Sequence, residues 1–257
     1  MSTPATGGRS LSKSVAVGVL LGAAFLLSVL IYKELFMVLA AAAAGAGAWE
    51  LSSALRLKGW YVPRVPAVVG SVLIMPAAFY GGAELQWLIS LAIVAALILW
   101  RTVHLLWEAR EAPRQAMAHT LRDYAASAFV VIYLPLMTSF TMLLLRRPDG
   151  AAWVITFVVT VAMIDTAGYL VGRKLGKHKL APGVSPKKTW EGLVASISAG
   201  LISAVVFTQV FWKFDWWVGI LLAAVLLLAA VFGDLAESLI KRDLGVKDID
   251  RKSTRLN

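Results

Sequence analysis

Four acids stand where an apolar sequence has little use for them: Glu50, Asp165, Asp234 and Glu237 lie inside or at the edge of hydrophobic runs. An ionised carboxylate at membrane depth is expensive, so it calls for a partner, a cation or a water-filled cavity. In VFGDLAESLIKRDLG, Asp234, Glu237, Ser238 and Lys241 follow at i, i+3, i+4 and i+7, which places them on one face of a helix. Two oxygen ligands for a hard metal, a hydroxyl and an ammonium on one face suit an anionic substrate held through a divalent ion. The plainer alternative is a snorkelling helix end, with Lys241 and Arg242 reaching headgroups and Glu237 pairing with Lys241. That alternative gives no reason for Asp234, two turns deeper. Asp165, in VAMIDTAGYLVGR, shares a stripe with Gly168, Tyr169 and Gly172; here a small-residue packing seam competes with a functional carboxylate.

Between these segments runs GRKLGKHKLAPGVSPKKTWEG, which carries Arg173, Lys174, Lys177, Lys179, Lys187 and Lys188. Cations on a backbone shaped by Gly and Pro can wrap a polyphosphate, and SPKKTWEG leads into a helix whose N-terminal amides would favour an anion. The segment reads as a phosphate-binding loop, although not as a Walker A loop. The Gly172 to Gly176 spacing is one residue too short, and His178 stands where a magnesium-binding Ser or Thr would be. A loop made basic by topology alone is the competing reading; Ser185, Thr189, Trp190 and Glu191 among the cations argue against it. His104, His119 and His178 show no metal-ligand spacing and read as ordinary loop or interface residues.

The elements that must position these groups are membrane helices. Of 257 residues, 59% are hydrophobic and 16% charged, with a mean hydropathy of +0.75. A soluble domain carries roughly 25% charged residues and could not bury this much apolar surface in one core. Eight runs approach the roughly 20 residues that cross a bilayer: 14–32, 35–55, 66–81, 85–100, 124–145, 151–171, 192–212 and 216–240. The third is short and bracketed by Pro66 and Pro76, so a re-entrant segment is its alternative. The first lacks a small-residue cleavage site and is read as a retained helix rather than a signal peptide. The mixed charges of 101–123 suggest an amphipathic helix in the cytoplasm.

With the N-terminus inside, only Lys33, Arg146, Arg147 and Lys213 of the 25 Lys and Arg fall outside, which is the positive-inside pattern. The net charge of +10 is then topology and attraction to anionic lipid, not a nucleic-acid footprint. Without cysteine there are no disulfides, thiolate metal sites or cysteine nucleophile. Most of the ten tryptophans, Trp100, Trp153, Trp212, Trp216 and Trp217 among them, read as an interfacial belt. The expected architecture is all-α: one polytopic integral membrane bundle of about eight transmembrane helices, with residues 1–150 as helical scaffold and 151–249 as the chemically unusual part.

The run Asp165 to Tyr169, then Gly172, Arg173, Gly176, Lys177, Leu180, Ala181, Pro182 and Ser185 to Gly192, resembles the phosphatidate cytidylyltransferases. So does the later run Gly233, Asp234, Leu235, Glu237, Ser238, Lys241, Arg242, Gly245, Val246, Lys247 and Asp248, with Trp49 and Glu50 as an upstream element. The resemblance covers about residues 12 to 249. It implies a multi-pass enzyme of the bacterial inner membrane, its site facing the cytoplasm, that turns CTP and phosphatidate into CDP-diacylglycerol and pyrophosphate with Mg2+ and room for a second cation. It assigns Asp234 as a metal ligand, with Asp165 and Glu237 as further candidates. Arg173, Lys177, Lys187, Lys188, Lys241, Arg242 and Lys247 would meet phosphates; Ser185, Ser238 and Thr189 would donate hydrogen bonds; Glu191 and Asp248 complete the substrate-binding set. A homodimer is implied by resemblance alone.

One departure stands out. Where the family continues after Lys247 and Asp248 with a Pro-Gly-His-Gly-Gly element, an Asp-Arg pair and a last membrane helix, this chain reads Ile249 to Asn257. Residues 250–257 are read as a non-family tail on a truncated C-terminus, which puts the activity of the chain as written in question. Three other readings stay open: a CTP-dependent polyprenol or dolichol kinase; an ion-coupled transporter, whose acids would gather nearer the bilayer midplane; and a non-enzymatic scaffold whose basic loop only holds anionic lipid.

Overall fold

The computed structural model describes residues 11–108, 110, 119–181 and 185–244. Helices α1 (Leu11–Leu30) and α2 (Lys33–Leu57) come first, then α3 (Arg64–Glu108), α4 (Thr120–Val131), a π-helical turn (Ile132–Leu136) and α5 (Met137–Leu145). Helix α6 (Gly150–Leu175), strands β1 (Lys179–Ala181) and β2 (Ser185–Thr189), α7 (Trp190–Trp212) and α8 (Trp216–Leu244) complete the described chain. Among the described residues, six helical segments are long and apolar enough to cross a membrane: α2, α3, the α4–α5 run Thr120–Leu145, α6, α7 and α8 as far as Ile240. All eight expected runs are helical, and the fold is the expected helical membrane bundle, although six is the number that meets the length criterion.

The 45-residue α3 is not one rod. Gly82 has φ 75° and ψ −162°, a backbone state that side-chain-bearing residues avoid. A straight helix would separate Gly70 from Ile93 by roughly 35 Å, yet a β-carbon added to Gly70 would lie 2.5 Å from Ile93 Cγ2. The limbs 64–81 and 83–108 are therefore an antiparallel hairpin, whose turn falls between the third and fourth expected runs. Arg146 closes the tip: its Nη1 sits 1.9 Å from where a β-carbon of residue 82 would stand. In the α4–α5 run the chain widens into a π turn around Pro135; proline has no N–H and its ring collides with the carbonyl four residues back, so the wider turn relieves both defects.

One departure from expectation concerns 101–123. Residues 101–108 continue α3, and Arg101 is buried, as is Asp123 on α4. Arg101 donates from Nε to Asp123 Oδ2 at 2.9 Å and from Nη1 to Glu108 Oε2 at 2.9 Å; the Tyr61 amide donates to Asp123 Oδ1 at 3.0 Å. The Arg101 guanidinium lies 4.3 Å from the Tyr61 ring centroid, and the His104 ring stacks on Tyr61 at 4.6 Å. A charge pair inside a protein survives only when its remaining donors and acceptors are met, and these are. At its two ends the stretch that suggested an amphipathic helix forms a lock between α3, α4 and the 58–63 connection; residues 109 and 111–118 of that stretch lie outside the described residues.

The helices order the connections into two ends. Arg122 donates to Gly59 O, and Ile240 of α8 packs on the core of Leu51, Leu55, Val62, Leu97 and Val130; this is the cation-rich end. At the opposite end Lys33 Nζ donates to Arg147 O at 2.9 Å, and Asp149 joins α6 to α7. The cores lie within α1–α5 and reach α6 through Val154 and Ile155, which pack with Val29 and Leu145.

Candidate active site

The site is built on α6, α7 and α8. Helices α6 and α7 meet backbone to backbone: a β-carbon on Gly192 would lie 2.8 Å from Gly168 O and 3.2 Å from Gly172 Cα, and one on Gly168 would lie 2.3 Å from Ser196 Oγ. Ser196 Oγ donates to Ile164 O at 2.9 Å, a link across the same seam. The packing-seam reading of Gly168 and Gly172 thus holds, with Asp165 one turn before Gly168 on the same helix. Asp165 is exposed, and it interacts electrostatically with Asp234 of α8 and Lys188 of β2. Lys188 Nζ is ion-paired with Asp234 Oδ2. Two carboxylates from separate helices and one ammonium from the ribbon between them therefore converge.

Asp165 stands ten residues before the end of α6, roughly 15 Å along the helix, and Asp234 of α8 is within its electrostatic reach. The ribbon brings charge down to that level. Because Gly192, in the first turn of α7, touches Gly168 and Gly172, α7 starts beside the middle of the last turns of α6, and β2 arrives there with it. In place of the expected irregular phosphate-binding loop, β1 and β2 pair antiparallel, Lys179 opposite Thr189. His178 fixes the base of the ribbon: its carbonyl accepts from the Trp190 amide at 3.0 Å, and its Nδ1 lies 2.7 Å from Glu191 Oε1.

Thr189, 4% exposed, is the N-cap of α7 and accepts from the Gly192 amide at 3.2 Å. Its side chain fills the notch left by Gly172 and Gly176. Both expected substrate contacts at this end, Thr189 and Glu191, are thus engaged with their own chain: Thr189 caps the helix and Glu191 braces the ribbon. The expectation that the α7 amides receive an anion meets the same fact, since the Gly192 amide is already taken.

The remaining candidates are placed as follows. Arg173, in the last turn of α6, is exposed and donates to the Tyr169 hydroxyl at 3.0 Å; Lys177 is exposed just beyond. On α8, Glu237 and Arg242 are exposed and Ser238 is half-buried. Ser185 and Lys187 are placed on β2, and Lys241 on α8, by backbone alone. Lys247, Asp248 and the tail 250–257 lie outside the described residues. Among the described residues no three His, Asp or Glu side chains cluster as a ready-made metal cage. Magnesium does not require one: it is commonly held by one or two carboxylates together with substrate phosphates, and Asp165 with Asp234 fit that donor set.

The sequence reading missed His178 as the brace and the tryptophan pair as a clamp. Trp153 and Trp212 stack at 4.0 Å, and both indoles donate to Asp149 Oδ2, at 2.6 and 3.2 Å. The cap of α7 had a visible signal, a Thr immediately before an apolar run.

The arrangement has relatives. The model of the cytidylyltransferase family matches residues 12–251. A phosphatidate cytidylyltransferase of Mycobacterium leprae is 34% identical over 97% of this chain and 81% of its own length. One from Mycobacterium bovis is 29% identical over 95% of this chain and 80% of its own. One from Staphylococcus haemolyticus is 38% identical over 41% of each chain. A family model matching nearly all of the sequence, laid over a multi-pass helical bundle, leaves one assignment: this chain belongs to the cytidylyltransferase family.

Proposed function

We propose that this membrane protein transfers CMP from CTP to phosphatidate, yielding CDP-diacylglycerol and pyrophosphate for phospholipid synthesis. The observation that carries the reading is the convergence of Asp165, Asp234 and Lys188 from three elements at the cation-rich end, in a chain whose relatives bear the name phosphatidate cytidylyltransferase. A phosphatidate oxygen attacks the α-phosphorus of CTP, a new P–O bond forms, and the bond to the β-phosphate breaks as pyrophosphate leaves. The attacking oxygen is already anionic, so no nucleophile from the protein is needed; the task is alignment and neutralisation of charge.

Asp234 and Asp165 would hold a divalent cation, Mg2+, with space for a second; bound there, the cation neutralises and orients the triphosphate. Arg173, Lys177, Lys187, Lys188, Lys241 and Arg242 would bind phosphates, and Ser185 and Ser238 would donate hydrogen bonds. Lys247 and Asp248, outside the described residues, would belong to the same substrate-binding set. Thr189 and Glu191 act through the ribbon that they anchor rather than by direct contact. The lipid's acyl chains remain in the bilayer beside the helices. The cation-rich end faces the cytoplasm, where CTP is found, and the membrane is the inner membrane; two copies associate as a homodimer.

The experiment is a transfer assay on the full chain in lipid vesicles with phosphatidate, Mg2+ and CTP labelled at either the α- or the γ-phosphate. Label from the α-phosphate is expected in chloroform-soluble lipid, and none from the γ-phosphate. The opposite pattern identifies a lipid kinase, and no lipid label with either substrate overturns the assignment.

A further inference from the structure

Lys188 does not point at open solvent, as a residue waiting for a phosphate would. It is spent on Asp234, the same carboxylate that the proposed function gives to the metal. The two side chains are 27% and 53% exposed, so the pair lies open at the surface of the bundle rather than sealed in its core. Asp165 sits within electrostatic reach of both. Two carboxylates of like charge would repel each other at close quarters, and an ammonium between them offsets that repulsion.

The backbone of Lys188 is held firmly. Its neighbour Thr189 is buried in the notch of Gly172 and Gly176, Trp190 is tied to the His178 carbonyl, and Glu191 is tied to the His178 ring. What can move is the four-carbon side chain, which carries a point charge well suited to phosphate.

We propose that Lys188 is an exchangeable counter-cation: it competes with the divalent ion for Asp234, and its displacement delivers the ammonium to the phosphates of the nucleotide. This rests on the reading of Asp234 as the metal-holding carboxylate. The consequence is a coupling of two binding events through one side chain. Metal binding is weakened by the lysine it must evict, and nucleotide binding is strengthened by the lysine so released.

The test needs no turnover. Mn2+ is titrated into the full chain in nanodiscs without nucleotide, and unbound Mn2+ is followed by its electron paramagnetic resonance signal. Lys188→Gln, which removes the competitor, is expected to bind Mn2+ roughly 3- to 10-fold tighter than the parent. Lys188→Arg, whose planar fork grips a carboxylate more firmly, is expected to bind it more weakly. With Mn2+ saturating, Lys188→Gln is expected to bind CTP several-fold more weakly in equilibrium dialysis.

A residue that merely braced the fold would lower metal affinity in both variants or leave it unchanged, and either result overturns the proposal. Should Lys188→Gln fail to fold, Lys188→Arg carries the test alone, and equal or tighter Mn2+ binding by it counts against the exchange. Unaltered Mn2+ binding by Asp234→Asn removes the premise. Failure of the transfer assay is a separate matter: it shows as missing lipid label whatever the order of Mn2+ affinities.

Discussion

Two carboxylate–cation pairs stand at the same end of this bundle and do opposite work. In Arg101–Asp123 the side chains are 7% and 2% exposed, both carboxylate oxygens are used, and a tyrosine ring lies against the guanidinium. In Lys188–Asp234 the side chains are several times more exposed, and a flexible ammonium rather than a fork makes the contact. The first pair joins α3 to α4; the second spans β2 and α8 at the candidate site. Burial makes a charge pair costly to disturb, and exposure makes it cheap to exchange.

The contrast can be broken from either side. Asp123→Ala leaves Arg101 buried without its partner and is expected to cost about 3–5 kcal/mol, read as a large fall in the melting temperature of detergent-solubilised protein. Replacing both members by apolar residues of similar volume is expected to recover most of that loss. Asp234→Asn is expected to do the reverse: a melting temperature close to the parent's and a fall in CMP transfer of roughly 10²–10³-fold, measured as initial rates at saturating Mg2+. Full activity in that variant removes Asp234 from the site.

Gly168→Val probes the join between the two regions' helices. The added carbons meet Ser196 and the α7 backbone, so a loss of about 1–3 kcal/mol is expected from overpacking, with activity falling alongside stability rather than independently of it. The smallest effect belongs to Asp149. Burial raises the pKa of its carboxyl, but the Trp153 indole, the Arg147 guanidinium and the Trp212 indole outweigh that and hold it below the ordinary range. Its ionised form therefore favours the folded state above about pH 4, the unfolded value, and the benefit fades as pH falls through the folded value. Asp149→Asn is expected to melt slightly below the parent at pH 7, with the two curves converging under acid.

Much of the fold was legible because apolar run length is a direct physical requirement of crossing hydrocarbon. The hairpin of α3 was legible too, since the gap between the third and fourth runs falls at Gly82. At the site, Asp165 and Asp234 were visible as charges that an apolar neighbourhood does not explain, and Lys188 as one of six cations in the loop between them. Hidden were the interactions that depend on which charges find each other. Arg101 and Asp123 are separated by 22 positions and looked like the polar face of a surface helix; periodicity does not say that such a face is turned inward against a second one. Trp153 and Trp212 fitted an interfacial belt so well that their shared acceptor, Asp149, went unread. Thr189 and Glu191 were taken for ligand contacts because polar residues at a helix start serve either ligand or cap, and only the glycine notch decides between them.

The cation-poor end carries a last implication. Of its four cations, Lys33 ties down the Arg147 carbonyl, Arg146 fills the gap above Gly82, and Arg147 pairs with Asp149. Each of the three weakens the charge asymmetry that would orient the chain during insertion, and each is retained at a structural job. An engineer who neutralised them to sharpen that asymmetry would be trading a more decisive entry into the bilayer for an unfastened rim.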